Sequence, residues 1–253
     1  MTFFISAFNT ILYKPLFNAL ILFYKYLPGH DFGLAIILLT VLIKLLLYPL
    51  GNWSIKSQKS LSEIQPKMKD LQEKYKNDKE KQTRAVMELY KKEKINPFSG
   101  CLPILIQFPI LIALYRVFWQ GLKPEQLSVF LYSFMPHIES IRASFLGVID
   151  LSRSASVEIE GVRHYLWPNL ILIILVGVAQ FFQTKMLTPK IKSEKNKNSN
   201  ISSAMQKQMQ YFMPIFMILI LFKIPAAVAL YWLTSTLFSI IQQYFIFRKT
   251  KTS

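Results

Sequence analysis

Few residues in this sequence have the type and setting to do chemistry, and the foremost is a lysine inside an apolar run. Lys44 sits between Ile43 and Leu45 in the stretch 32–50, where it is the only charged residue. An ammonium at the centre of hydrocarbon costs about 2.5–3.5 kcal/mol even on insertion scales, so it must find water or polar partners. A snorkelling lysine with no further role is the simpler reading, since Leu50 lies roughly 9 Å away along a helix and the stem is flexible. Its company argues for more. Thr40 and Tyr48 fall one helical turn away on the same face. Gln107 lies eight residues after Ser99, and Gln180 and Gln183 are an i, i+3 pair. Ser235, Ser239 and Gln242 follow at i, i+4 and i+7. Singly, such groups are ordinary interhelical hydrogen-bonding residues. Converging on a lysine, they predict a wet, positively charged cavity in one half of a bilayer.

Other chemistries find no candidates. His30, His137 and His164 are isolated and lie outside the apolar runs, without metal-ligand spacing. No acidic residue falls within a run, and no nucleophile is matched with a base, so neither an intramembrane hydrolase nor another enzyme is expected. We expect no catalytic residue, metal or cofactor. The alternative function is a small-molecule or ion transporter or channel, although coupled carriers ordinarily need intramembrane carboxylates or inverted repeats.

The elements that must position these residues are long and apolar. The chain has 253 residues, 52% hydrophobic and 17% charged, a balance suited to a membrane rather than a soluble fold. Runs near 32–50, 100–119, 166–187, 208–222 and 226–247 read as spanning helices, because lipid leaves backbone groups no outside partner. Basic residues then set the orientation. Segment 51–98 carries 12 Lys and Arg against 7 acids, 188–210 carries 5 against 1, and 248–253 carries 3 and none. The opposite side holds 121–165, with 4 basic residues against 5 acids. The positive-inside rule makes this N-out and C-in. The net charge of +16 is thereby explained without direct recognition of nucleic acid.

The expected fold class is all-α: a polytopic bundle of five spans with a cytoplasmic helical hairpin and an N-terminal interfacial helix. Residues 1–28 read as that amphipathic helix, retained rather than cleaved, with a sixth span as the rival assignment. The spans are 29–51, 99–120, 166–187 and the pair within 208–247. The remaining segments are a hairpin at 52–98, an extracytoplasmic loop at 121–165, a cytoplasmic loop at 188–207 and a short basic tail at 248–253. In the hairpin, Leu61, Ile64, Met68, Leu71 and Tyr75 step by three and four, as a coiled-coil seam does. A turn at Asn77-Asp78 leads into a weaker seam of Val86, Leu89 and Tyr90. Pro66 is expected to bend the first of these helices or mark its start. Cys101, the only cysteine, allows no internal disulfide and reads as a small packing residue.

Several stretches resemble one family. Asn96-Pro-Phe-Ser-Gly-Cys-Leu-Pro-Ile-Leu-Ile-Gln-Phe-Pro-Ile-Leu-Ile-Ala-Leu-Tyr-Arg116 is similar to the second core span of the YidC/Oxa/Alb insertases, in their short bacterial YidC-like form. Ile64-Gln-Pro-Lys-Met-Lys69, Gln183-Thr-Lys-Met186, Met209-Gln-Tyr-Phe-Met-Pro214 and Leu230-Tyr-Trp-Leu-Thr234 extend the likeness in order along nearly the whole chain. The resemblance implies a five-span bundle without catalysis, whose inner-leaflet hydrophilic groove helps other proteins enter the bacterial cytoplasmic (inner) membrane. It implies nascent membrane-protein clients, the ribosome and the Sec translocon as partners beside the phospholipid bilayer. It places Lys44 where the family usually has arginine, and Gln107, Gln183 and Trp232 at groove-lining positions. On its own, Trp232 reads as a packing aromatic. Met68, Leu71 and Tyr75 are the hairpin residues expected to meet partners. Two departures are Lys for Arg at 44, which loses the bidentate fork, and Ala226-Ala227 where Ala-Gly is common.

Overall fold

The structure is a computed structural model that describes residues 2–96, 102–120, 130–135, 138, 140–159, 162–187 and 200–249. Cys101, residues 188–199 of the expected cytoplasmic loop and the end of the basic tail lie outside the described residues.

Helix α1 (Thr2–Phe8) runs through a π-helical turn, Asn9–Tyr13, into α2 (Lys14–Tyr26). Tyr13, Phe17, Leu20, Ile21 and Tyr24 bury one face against the bundle, while Ile11 and Tyr26 stay exposed. The stretch Ile5–Tyr26 is long and apolar enough to cross a membrane, as the sixth-span assignment requires. Gly29, at φ 76°, makes the turn that follows, a backbone state glycine adopts without steric cost. Asp31 then caps α3 (Phe32–Leu46) by accepting from the Leu34 amide at 2.9 Å.

At Leu47 the chain bends by 71° into α4 (Tyr48–Lys74), with Pro49 in its first turn, where a missing amide hydrogen costs nothing. The sequence reading ended the first span near 50 and began the hairpin after it. The break instead falls before Pro49, and α4 is one helix of 27 residues that passes through Pro66. Residues 75–78 turn the chain, and Asp78 caps α5 (Lys79–Lys92) through the Lys81 amide at 3.0 Å. Ile64 and Leu89 are buried on the facing sides of α4 and α5. Tyr90 Oη donates to Met68 Sδ at 3.3 Å, Gln82 Nε2 to the Gln72 carbonyl at 2.7 Å, and Lys67 pairs with Glu93 at 2.6 Å.

Helices α6 (Leu102–Gln120), α7 (Trp167–Leu187), α8 (Asn200–Leu221) and α9 (Ala226–Lys249) complete the bundle. Helix α9 packs on both α3 and α7, and α7 packs on α8. Trp167–Leu187 is by itself long and apolar enough to cross a membrane, and α3 with α4 is so only as a bent pair. Leu105–Trp119 and Gln210–Leu221 are shorter apolar helices. Exposed Ile171, Ile174, Phe182, Phe216 and Leu219 give α7 and α8 an apolar outer surface. On a membrane protein that is the face turned to lipid.

An all-α expectation omits the strands found between α6 and α7. Strand β1 (Ser144–Phe145) pairs antiparallel with β2 (Ile149–Asp150), and β3 (Ser156–Ile159) with β4 (Val162–Tyr165). Gly147, at φ 69°, turns the first hairpin. These strands are two to four residues long, too short to carry a periodicity readable in sequence. Asn169, buried at the start of α7, anchors the segment by donating to the carbonyls of Asp150 at 2.9 Å and Arg153 at 3.2 Å. The amides of Ala226 and Ala227 reach the carbonyls of Arg153 and Leu151 from the start of α9. Ala227 is fully buried there, so its methyl is accommodated in place of glycine.

Candidate functional site

Lys44 projects from the last turn of α3 into a cavity open to the surroundings. Its ammonium donates to Ser239 Oγ at 3.1 Å. Ser239 in turn donates to the Ser235 carbonyl at 2.9 Å, one turn back along α9. Gln107 of α6 and Gln183 of α7 form further walls. Helix α4 supplies Gly51, Ser54 and Gln58, and α9 adds Gln242 and Gln243. Leu47, Leu50, Ile55 and Ile106 give the remaining, apolar surface. No carboxylate lines the cavity among the described residues, and Lys44 enters no ion pair among them. The site therefore offers one positive charge, several amide and hydroxyl groups, and no acid to neutralise it.

Of the eight expected groove residues, Lys44, Gln107, Gln183 and Ser239 line this cavity. The other four satisfy their polar groups elsewhere. Thr40 is buried and returns its hydroxyl to the Ile36 carbonyl at 2.6 Å, a common use of threonine in a helix. Ser235 is buried, its hydroxyl hydrogen-bonded to the Tyr231 hydroxyl. Gln180 and Trp232 pair with each other, the indole Nε1 donating to Gln180 Oε1 at 3.1 Å, because a half-buried indole needs an acceptor. Gln107, besides facing the cavity, donates to the Tyr231 hydroxyl.

The sequence reading missed Ser54 and Gln58 because it placed them in the hairpin. Their i, i+4 spacing was the available signal, and the pair is joined at 3.4 Å. Gln243 was missed as well. It is buried, and its Oε1 has no hydrogen-bond partner among the described residues. Such an acceptor is satisfied once water or a polar ligand enters.

Outside the cavity, Met68 of α4 meets Tyr90 of α5, Leu71 lies further along α4 and Tyr75 begins the turn, all three half-buried. Hydrogen bonding fixes the charge at both ends of this hairpin. The Lys81 amide holds the Asp78 carboxyl below its usual range, and the Lys67 ammonium does the same for Glu93.

A helical bundle with an exposed apolar surface and a cavity that, among the described residues, holds a lysine and no carboxylate defines the class, a helical membrane protein. The chain belongs to the 60Kd inner membrane protein family, whose model matches residues 22–253. The membrane protein insertase YidC of Fusobacterium nucleatum is 36% identical over 219 residues, covering 87% of each chain. YidC of Geobacter sulfurreducens is 36% identical over 96% of this chain, which spans only 38% of that relative's length. Among solved structures, an active YidC insertase with its first transmembrane domain resolved is similar, with a TM-score of 0.58 and 27% identity. That match covers 92% of this chain and 46% of that one.

Proposed function

We propose that this protein is a membrane-protein insertase of the bacterial cytoplasmic membrane, oriented N-out and C-in with five spans and its α4–α5 hairpin in the cytoplasm. The observation that carries this reading is the Lys44 cavity, a positive, hydrogen-bonding chamber between α3, α4, α6, α7 and α9 with no carboxylate among the described residues that line it. Polar backbone moved unpaired into hydrocarbon costs several kcal/mol per group. A client's hydrophilic segment entering the cavity exchanges water for Gln, Ser and Lys partners, so that cost falls. Its apolar helix then partitions into lipid along the exposed apolar faces of α7 and α8. The membrane potential adds about 2.3 kcal/mol per charge per 100 mV. The α4–α5 hairpin, with Met68, Leu71 and Tyr75 on its seam, is the element that meets nascent clients, and the ribosome and Sec translocon are proposed partners.

Reconstitution into liposomes tests this. A single-span client with a short translocated tail should become protease-protected faster with the protein than in empty liposomes. Equal rates would overturn the reading, whereas a small-ion leak without protection would favour a channel.

A further inference from the structure

The width of the cavity mouth depends on the direction of α4, which contributes Leu50, Gly51, Ser54, Ile55 and Gln58 to the wall. That direction is set at a junction with weakened backbone support. The 71° bend falls at Leu47, Pro49 has no amide hydrogen to donate back to α3, and the residue before a proline is disfavoured from helical geometry. Interrupted helices of this kind are where bends concentrate.

The Gln242 side chain bridges this junction from across the bundle. Gln242 of α9 is buried, and its Nε2 donates to the Tyr48 carbonyl at 3.1 Å and to Asn52 Oδ1 at 2.8 Å. Both amide hydrogens are therefore committed to the first two turns of α4. Gly51 lies between those acceptors and lets the carboxamide approach. A Cβ there would stand 3.0 Å from Gln242 Nε2 and 3.1 Å from Oε1, closer than nearly all side-chain contacts.

We propose that Gln242 is a positioning residue for insertion: its carboxamide latches the start of α4 to α9, fixing the angle of the α4–α5 hairpin and the width of the cavity mouth. This rests on the insertase reading only in assigning that angle a use. The latch bonds are neutral and exchangeable, so polar backbone of an entering client can compete for the Tyr48 carbonyl and the Gln242 amide. Release would let α4 swing about Leu47 and widen the mouth.

The test uses the full chain in lipid nanodiscs, with Cys101→Ser and spin labels at Lys76→Cys, on the hairpin, and Leu219→Cys, on α8. Pulsed electron resonance should give one narrow distance distribution for the parent. Gln242→Leu, which keeps bulk but removes the donors, should broaden it, and Gly51→Ala should do so by displacing the carboxamide. A control pair at Ile174→Cys and Leu219→Cys, within the bundle, should not change, which separates a lost latch from general loosening. Insertion should fall about five-fold to thirty-fold in Gln242→Leu, the effect of losing one to two net hydrogen bonds. Unchanged hairpin distances in both variants would overturn the latch, and parental insertion despite broadening would overturn its positioning role. The distance measurement needs no client, so an inactive parent would sink the insertase reading while the latch is still decided.

Discussion

Removing the charge at Lys44 tests the electrostatic part of the mechanism quantitatively. The ammonium is held by Ser239 at 3.1 Å, and no acid lines the cavity among the described residues, so its field acts on whatever enters. A client carboxylate held about 6 Å away, across one water layer, gains about 2.8 kcal/mol at an effective dielectric of about 20 and about 0.7 kcal/mol at that of water. Lys44→Met should therefore slow insertion of a client with an acidic translocated tail by between about three-fold and a hundred-fold. Lys44→Glu reverses the sign and doubles the difference, to about ten-fold at the least. Lys44→Arg should retain activity, because charge matters here more than shape. The assay is protease protection in liposomes, using matched clients whose tails carry two aspartates or two asparagines. The ratio of the two rates cancels differences in protein amount and general folding. If Lys44→Glu leaves that ratio at the parental value, the groove works by hydration alone and Lys44 only reaches toward the headgroups.

Three further outcomes check other links. Cysteines introduced at Lys76 and Ser154 should label from opposite sides of the membrane, with Lys76 cytoplasmic, and same-side labelling would end the proposed topology. Gly177→Ala sets a methyl 2.5 Å from Ile218 Cδ1 between α7 and α8. It should cost about 1–3 kcal/mol, seen as a lower thermal midpoint in detergent and partly restored by Ile218→Val. Asp78 and Glu93 both have carboxyls held below their usual range by hydrogen bonds. Their support for the hairpin is thus complete above the ordinary carboxylate range, near pH 4, and lost as pH falls through the lower folded values. Hydrogen exchange at the start of α5 should show that loss, and Asp78→Asn, which caps without titrating, should remove the part due to Asp78.

Where α4 and α5 touch at Met68 and Tyr90, the contact follows residue spacing. The three-and-four stepping through Ile64 and Met68 fell on the face that meets Leu89 and Tyr90, because a packed seam must recur with the helix. Depth along the apolar runs brought Lys44, Gln107, Gln183 and Ser239 to one place. Spacing could not distinguish a side chain facing a cavity from one spent on its own neighbours, which is why Thr40 and Ser235 turned out to be buried instead. The break before Pro49 was hidden for another reason. Apolar character continues through Leu50, so hydropathy alone carried the first span past the place where the backbone turns. Pro66, an apparent boundary, was accommodated within α4, as Pro109 and Pro214 were within α6 and α8.

The bonds from Ala226 and Ala227 to Arg153 and Leu151 also say something about time. The carbonyls they satisfy leave the ribosome more than seventy residues before their donors do. Asn169 reaches the same segment earlier, and Asp31 and Tyr24 hold the Leu146 and Arg142 amides earlier still, so it is the two bonds from Ala226 and Ala227 that wait for α9. Closing so long a loop costs chain entropy before it returns any contact. The strand segment is therefore completed only when α9 arrives, more than seventy residues after the carbonyls that its amides satisfy.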